Sequence, residues 1–192
     1  SLERQPVTTV YGGAQLFKSN TTVRISELAL RAYKEYIPNA NVLATILGWN
    51  QQDDLNEVIY EKIEEKLKRE AVEDFRIDFE DGFGIRPDKE EDDTAVNCAN
   101  EVWKGMQEKT LSPFIGIRVK TLSDELKHRA LRTLDIFIST LVSQSGGALP
   151  DNFVVTLPKI TSEKQVEAFI EALEIVEKKL KMKKGSNKME LM

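Results

Sequence analysis

The chain has 192 residues, 41% of them hydrophobic and 31% charged, with Gly 10 and Pro 6. That length sets a prior of one domain, large enough to bury roughly 70% of the surface its unfolded chain would expose. The composition excludes collagen, low-complexity chains and disordered polar chains. Lys+Arg 27 against Asp+Glu 32 leave a net charge of −5 with no basic stripe, so no nucleic-acid surface is expected. The single Cys98 cannot close an internal disulfide, and one Cys with one His cannot build a Cys/His zinc site. No apolar run approaches the roughly 18 residues of a membrane span, and the first residues are not a signal peptide. The expectation is a cytoplasmic protein with no membrane partner. Ser1 and the final Met189-Glu190-Leu191-Met192 both read as cuts, the latter as the start of an apolar segment.

In chain order, Val7 to Tyr11 reads as a first strand closed by Gly12-Gly13. Ile25, Leu28, Ala29, Ala32 and Tyr36 then recur at helical spacing, as do Leu55, Ile59, Ile63 and Leu67. Phe75 to Phe79 reads as a second strand, closed by Glu80-Asp81-Gly82, and a helix follows from about Asp88 to Gln107. Phe114 to Val119 is a third strand behind Pro113, followed by a helix carrying Leu126, Ala130, Leu134, Phe137 and Leu141. Phe153 to Leu157 is a fourth strand running into Pro158. The last helix carries Val166, Phe169, Ile170, Leu173, Val176 and Leu180, with Ser162 as its N-cap. A fifth strand is expected after the Gly185-Ser186-Asn187 loop. Strands alternating with helices predict an α/β fold on a parallel sheet. The Lys178 to Lys184 cluster reads as a solvated helix end.

Side chains alternate along a strand. Phe75, Ile77 and Phe79 therefore share one face, and Arg76, Asp78 and Glu80 the other. Charged groups on a sheet face shielded from water need partners, hydration or a ligand, and these fall at the C-terminal strand end, where α/β folds place their sites. Likewise Phe114, Gly116, Arg118 and Lys120 are expected on one face of the third strand. Arg118 presents a planar fork suited to a carboxylate or phosphate, and an ion pair with the second strand is equally open. Gly12 and Gly13 read either as a tight turn or as a close backbone approach to a ligand. Lys159 should lie on the same rim. His128 reads as a surface histidine, and Cys98 as a small buried residue rather than a nucleophile.

These motifs in order resemble the citrate lyase beta-subunit-like, or HpcH/HpaI aldolase, family of the phosphoenolpyruvate/pyruvate-domain superfamily. The resemblance rests on Ile77-Asp78-Phe79-Glu80-Asp81-Gly82 with Lys89 in the next helix, on Gly116-Ile117-Arg118-Val119, and on Val155-Thr156-Leu157-Pro158-Lys159-Ile160-Thr161-Ser162. Val10-Tyr11-Gly12-Gly13 stands where that family's first strand turns, and residues 38 to 70 fit a helical insertion typical of an uncharacterised branch. The resemblance implies the N-terminal portion of a (β/α)8 TIM barrel, incomplete in this chain, as a single domain. It implies a Mg2+-dependent carbon–carbon lyase acting on a 2-oxo acid or acyl-CoA substrate through an enolate. Arg118 would hold the substrate, with Gly12, Gly13 and Lys159 as further substrate contacts. Glu80 and Asp81 would receive hydrogen bonds from the waters of the metal. Asp78 and Lys89 would support them. Direct metal ligands are expected beyond Met192. A homo-oligomer is expected, because an open strand edge invites association. The alternatives are a phosphoenolpyruvate/pyruvate phosphotransferase and a non-catalytic binding module whose charged faces are filled by internal ion pairs.

Overall fold

A computed structural model of the chain describes residues 4–192. Five strands, β1 (Thr9–Gly13), β2 (Asp74–Asp78), β3 (Phe114–Arg118), β4 (Phe153–Leu157) and β5 (Lys188–Leu191), alternate with helices. They form one sheet in the order β1-β2-β3-β4-β5, and every neighbouring pair is parallel. A 3-10 turn (Ala14–Leu16) and α1 (Thr21–Tyr36), α2 (Ala40–Leu47) and α3 (Leu55–Glu70) separate β1 from β2. The remaining crossovers use one helix each: α4 (Asp88–Glu108), α5 (Lys127–Ser145) and α6 (Glu163–Lys179).

Strand order equal to chain order has a geometric consequence. Parallel crossovers are right-handed, so consecutive neighbours send every helix to the same face. The core lies on that face. Phe75, Ile77, Ile115, Ile117, Val155 and Leu157 point from the strands onto Ala95, Ala99 and Val102 of α4, Leu134, Phe137 and Leu141 of α5, and Phe169 and Leu173 of α6. The expected helical registers of α4 and α5 therefore become buried stripes. Those of α1 and α6 do so in part: Leu28, Tyr36 and Ile170 are exposed, while Tyr33 is buried and stacks on Tyr60 of α3 at 5.1 Å. Two helices were expected between β1 and β2. The additional α2 is short, its N-terminus is capped by Asn39, whose side chain accepts from Val42 N, and it ends at Gly48 with φ +68°. It falls within the expected insertion at 38 to 70.

The other face of the sheet carries Tyr11, Asp74, Arg76, Asp78, Arg118, Thr156 and Glu190. Arg76, Asp74, Asp78 and Thr156 are buried although no helix covers them. Arg76 Nε donates to Glu190 Oε2 at 3.3 Å, joining β2 to β5. Those strands are three intervals apart, about 14 Å across a flat sheet, beyond the lateral reach of the two side chains. The sheet is therefore curled, with the charged face concave. Both β1 and β5 are sheet edges, so the described residues hold two free strand edges.

Candidate functional site

Strand register brings the concave face to a common level. Gly13 pairs with Asp78, Asp78 with Arg118, Arg118 with Thr156, and Thr156 with Glu190. Because the strands are parallel, their C-terminal ends meet there, and the turns after β2 and β4 add Glu80, Asp81 and Lys159.

Arg118 grips Asp78 with a two-point fork: Nε lies 2.8 Å from Oδ1 and Nη2 lies 2.5 Å from Oδ2. Asp78 also accepts from the backbone amides of Glu80 at 2.9 Å and Gly82 at 2.7 Å. Burial opposes its charge, but Arg118 and the two amides together hold the carboxyl below its ordinary range. The hydrogen bond Arg118 donates to Asp78 in turn raises the Arg118 guanidinium. The third guanidinium nitrogen, Nη1, has no oxygen partner at hydrogen-bond geometry among the described residues. It lies 3.4 Å from Glu80 Oε2 and 3.7 Å from Met192 Sδ. Glu80 Oε2 is buried and unbonded. Lys159 Nζ spans the two remaining carboxylates, 2.7 Å from Glu80 Oε1 and 2.8 Å from Asp81 Oδ1. Asp81 and then Glu80 raise its ammonium. Lys159 adopts φ +51°, a left-handed conformation that non-glycine residues seldom take. Beneath Arg118, the Tyr11 ring lies 4.6 Å from the guanidinium carbon, a cation–π contact.

Expected residues thus separate into two groups. Asp78, Glu80, Asp81, Arg118 and Lys159 meet at one rim. Lys89 does not join them: it is an exposed α4 residue paired with Asp93 one turn later at 2.5 Å, because its helix position faces solvent. Gly12 also turns away from the rim. It is in register with Ile77 on the helix-covered side, where an added Cβ would lie 2.6 Å from the Phe75 ring. Gly13 does reach the rim, but an added Cβ there would run into the Gly82 carbonyl, so close packing of two turns accounts for it. Lys120 leaves the Arg118 face. β3 ends at Arg118, and beyond that residue alternation no longer dictates direction; the Lys120 side chain turns to Glu91 of α4.

Tyr11, Thr156 and Glu190 join the concave face without having been singled out. The signal was available in strand alternation, which puts Tyr11 with Gly13 and Glu190 opposite Met189 and Leu191. Glu190 Oε2 also accepts from Thr156 Oγ1 at 2.6 Å. A cavity of about 740 Å³, lined by Thr9, Asp74, Arg76, Phe114, Lys188 and Glu190, opens at the opposite, N-terminal end of the strands. Cys98 is buried, and burial pushes its thiol up to about 12, which keeps it a thiol rather than a nucleophile. His128 is exposed on α5. Lys179 and Lys184 pair with Asp135 and Glu174, as a solvated helix end would.

Among the described residues no group of three or more His, Cys, Asp or Glu is arranged to hold a metal ion. The rim does carry one more carboxylate than cation, and Glu80 Oε2 is free to accept a hydrogen bond. Those features fit the outer partner of a hydrated cation, not its direct ligand set.

Five parallel strands, helices on one face and charged side chains gathered at the C-terminal strand ends make this an α/β protein with a charged rim. Over residues 1–192 the chain matches the family described as "Domain of unknown function (DUF6986)", and it belongs to that family. No curated protein and no solved structure matches it. Among the described residues no helix is long and apolar enough to cross a membrane.

Proposed function

We propose that this chain forms the first five strands of a (β/α)8 barrel and that its rim is half the mouth of a Mg2+-dependent carbon–carbon lyase. Singly wound strand order and the curl that lets Arg76 meet Glu190 support the barrel. The observation that carries the site is Arg118: a guanidinium locked by Asp78 through two nitrogens, with Nη1 beside Glu80 Oε2 at 3.4 Å and Met192 Sδ at 3.7 Å. Such a group can grip a carboxylate or carbonyl oxygen without first reorganising. The substrate class is a 2-oxo acid or an acyl-CoA thioester. Breaking a bond beside a carbonyl places negative charge on the carbonyl oxygen, and Mg2+ would stabilise that charge as a Lewis acid. Its direct ligands would come from sequence following Met192. Glu80 would accept a hydrogen bond from a metal-bound water, and Asp81 and Lys159 would set the charge beside it. Tyr11 supports Arg118 from below.

One observation favours a non-catalytic module instead: Lys159 already pairs with both Glu80 and Asp81 within the chain. Calorimetric titration of the full-length polypeptide separates the readings. Oxaloacetate, pyruvate and acetyl-CoA are each added with and without Mg2+. At least one should bind only with Mg2+, and Arg118→Lys, which keeps the charge but loses the fork, should weaken it about tenfold or more. No binding of any of the three in the presence of Mg2+ would favour the binding-module reading.

A further inference from the structure

Lys120 is almost fully buried, 4% exposed, yet it belongs neither to the core nor to the Arg118 face. Its ammonium has three donors: two bond backbone carbonyls, and its charge pairs with a buried carboxylate without meeting hydrogen-bond geometry. Nζ lies 2.5 Å from the Phe79 carbonyl, 3.1 Å from the Gly84 carbonyl and 3.0 Å from Glu91 Oε2. Phe79 and Gly84 are the two ends of the turn that carries Glu80, Asp81 and Gly82. One side chain therefore ties both ends of that turn to α4. The Phe83 ring inside the turn lies 5.1 Å from the ammonium.

Glu91 is a fixed anchor. It is 0% exposed, its Oε1 accepts from Thr133 Oγ1 of α5 at 2.6 Å, and Arg129 Nε stands 3.6 Å away. An isolated ion pair in such a place is poor value for stability, because desolvation offsets much of its attraction. Here its geometry does something else. The turn has internal bonds to Asp78 and to the Glu80 carbonyl, which accepts from Phe83 and Gly84 amides. Those bonds set the shape of the turn. Arg86 adds a tie from outside, its Nε donating to the Phe83 carbonyl at 2.9 Å and its Nη1 pairing with Glu90 of α4, whereas Lys120 is the buried tie and holds both ends of the turn.

We propose that Lys120, held by Glu91, is a positioning residue that clamps the Phe79–Gly84 turn and so sets where Glu80 and Asp81 stand relative to Arg118. Its relevance to substrate rests on the rim being the binding mouth proposed above; the clamp itself does not.

Hydrogen exchange of the full-length polypeptide tests the clamp directly. Lys120→Met keeps the apolar stem and removes all three donors. It should speed exchange of the Gly82, Phe83 and Gly84 amides about tenfold or more, since bonds to charged groups are the strong ones. Exchange in β4 and α6 should not change. Unchanged rates in the turn would overturn the proposal. So would acceleration spread evenly over the sheet, which would make Lys120 merely structural. Should Lys120→Met not fold, Glu91→Gln carries the same test, because it removes the anchor's charge at constant volume and retains an acceptor for Thr133. In the same variants, Mg2+-dependent oxaloacetate binding should weaken about tenfold. If the wild type binds no oxaloacetate, the lyase reading suffers while the exchange result still judges the clamp. If the wild type binds and the variants bind equally well, the positioning role is wrong.

Discussion

Asp78 and Arg118 behave as one group. The carboxylate uses both oxygens on the guanidinium and on two backbone amides, so neither partner has an independent position. Removing one charge from a buried pair leaves the other uncompensated. Arg118→Met should therefore destabilise the fold by about 3 kcal/mol. Adding Asp78→Asn should cost less than the sum of the single changes, with a coupling of about 1 kcal/mol or more. Urea unfolding of the two single variants and the double variant measures this, and strict additivity would show that the pair is not a unit. Glycines carry a different kind of information at this scale. Gly12 and Gly13 suggested a ligand from sequence, but the Phe75 ring and the Gly82 carbonyl already occupy the space a side chain would need.

Between elements, the β3–β4 contact is the narrowest constraint on the concave face. A Cβ at Gly116 would run into the Val154 carbonyl of β4 and lie 3.4 Å from Arg76 Cδ. The obstacle is backbone of a neighbouring strand, which cannot move without breaking the ladder. Gly116→Ala should lower stability by about 2 kcal/mol, in the range of overpacked cores, and should also disturb the Arg76–Glu190 bridge. A denaturation midpoint equal to wild type would contradict the described register. At the C-terminal rim, Gln165 at the start of α6 links two loops: its Oε1 accepts from Thr161 N at 2.8 Å, and its Nε2 donates to the Leu122 carbonyl at 3.2 Å. Ser162 was legible as an N-cap, whereas this second role of Gln165 needed the neighbouring loop to be in place.

For the molecule as a whole, acid sensitivity should come in large part from two carboxylates paired outside the rim, in addition to Asp78. The Lys66 hydrogen bond, joined by Arg4 and Arg69 and opposed by burial, lowers Glu70 from the ordinary 4.5 to about 2. Arg132 and Arg129 likewise lower Asp92 from 3.8 to about 2. Both groups are more acidic folded than unfolded, so their contribution is complete above about pH 4.5 and disappears as pH falls to about 2. The urea midpoint should fall across that window, and Glu70→Gln should flatten the fall while leaving its slope above pH 5 unchanged. Parallel curves for variant and wild type would exclude Glu70 as a source.

Local sequence determined the four strands from β1 to β4 and the expectation of β5, because β-branched runs bounded by Gly and Pro have few other conformations open to them. It also determined which strand face would be charged, since alternation is a property of the backbone. The same rule placed Arg118 with Asp78 and Glu80, and the strand-end position placed Lys159 with them. Alternation ceased to inform where strands stop: Lys120 lies past the end of β3, and its direction was decided by a buried carboxylate 29 positions earlier in the chain, Glu91. Lys89 failed for a related reason, since the rotation of α4 about its axis follows from how Ala95, Ala99 and Val102 pack on the sheet. The curl of the sheet, the meeting of Arg76 with Glu190, and the close approach of Gly13 to Gly82 belong to tertiary structure alone. Each is a contact between segments far apart in sequence, fixed by strand order and twist rather than by any residue's own preference.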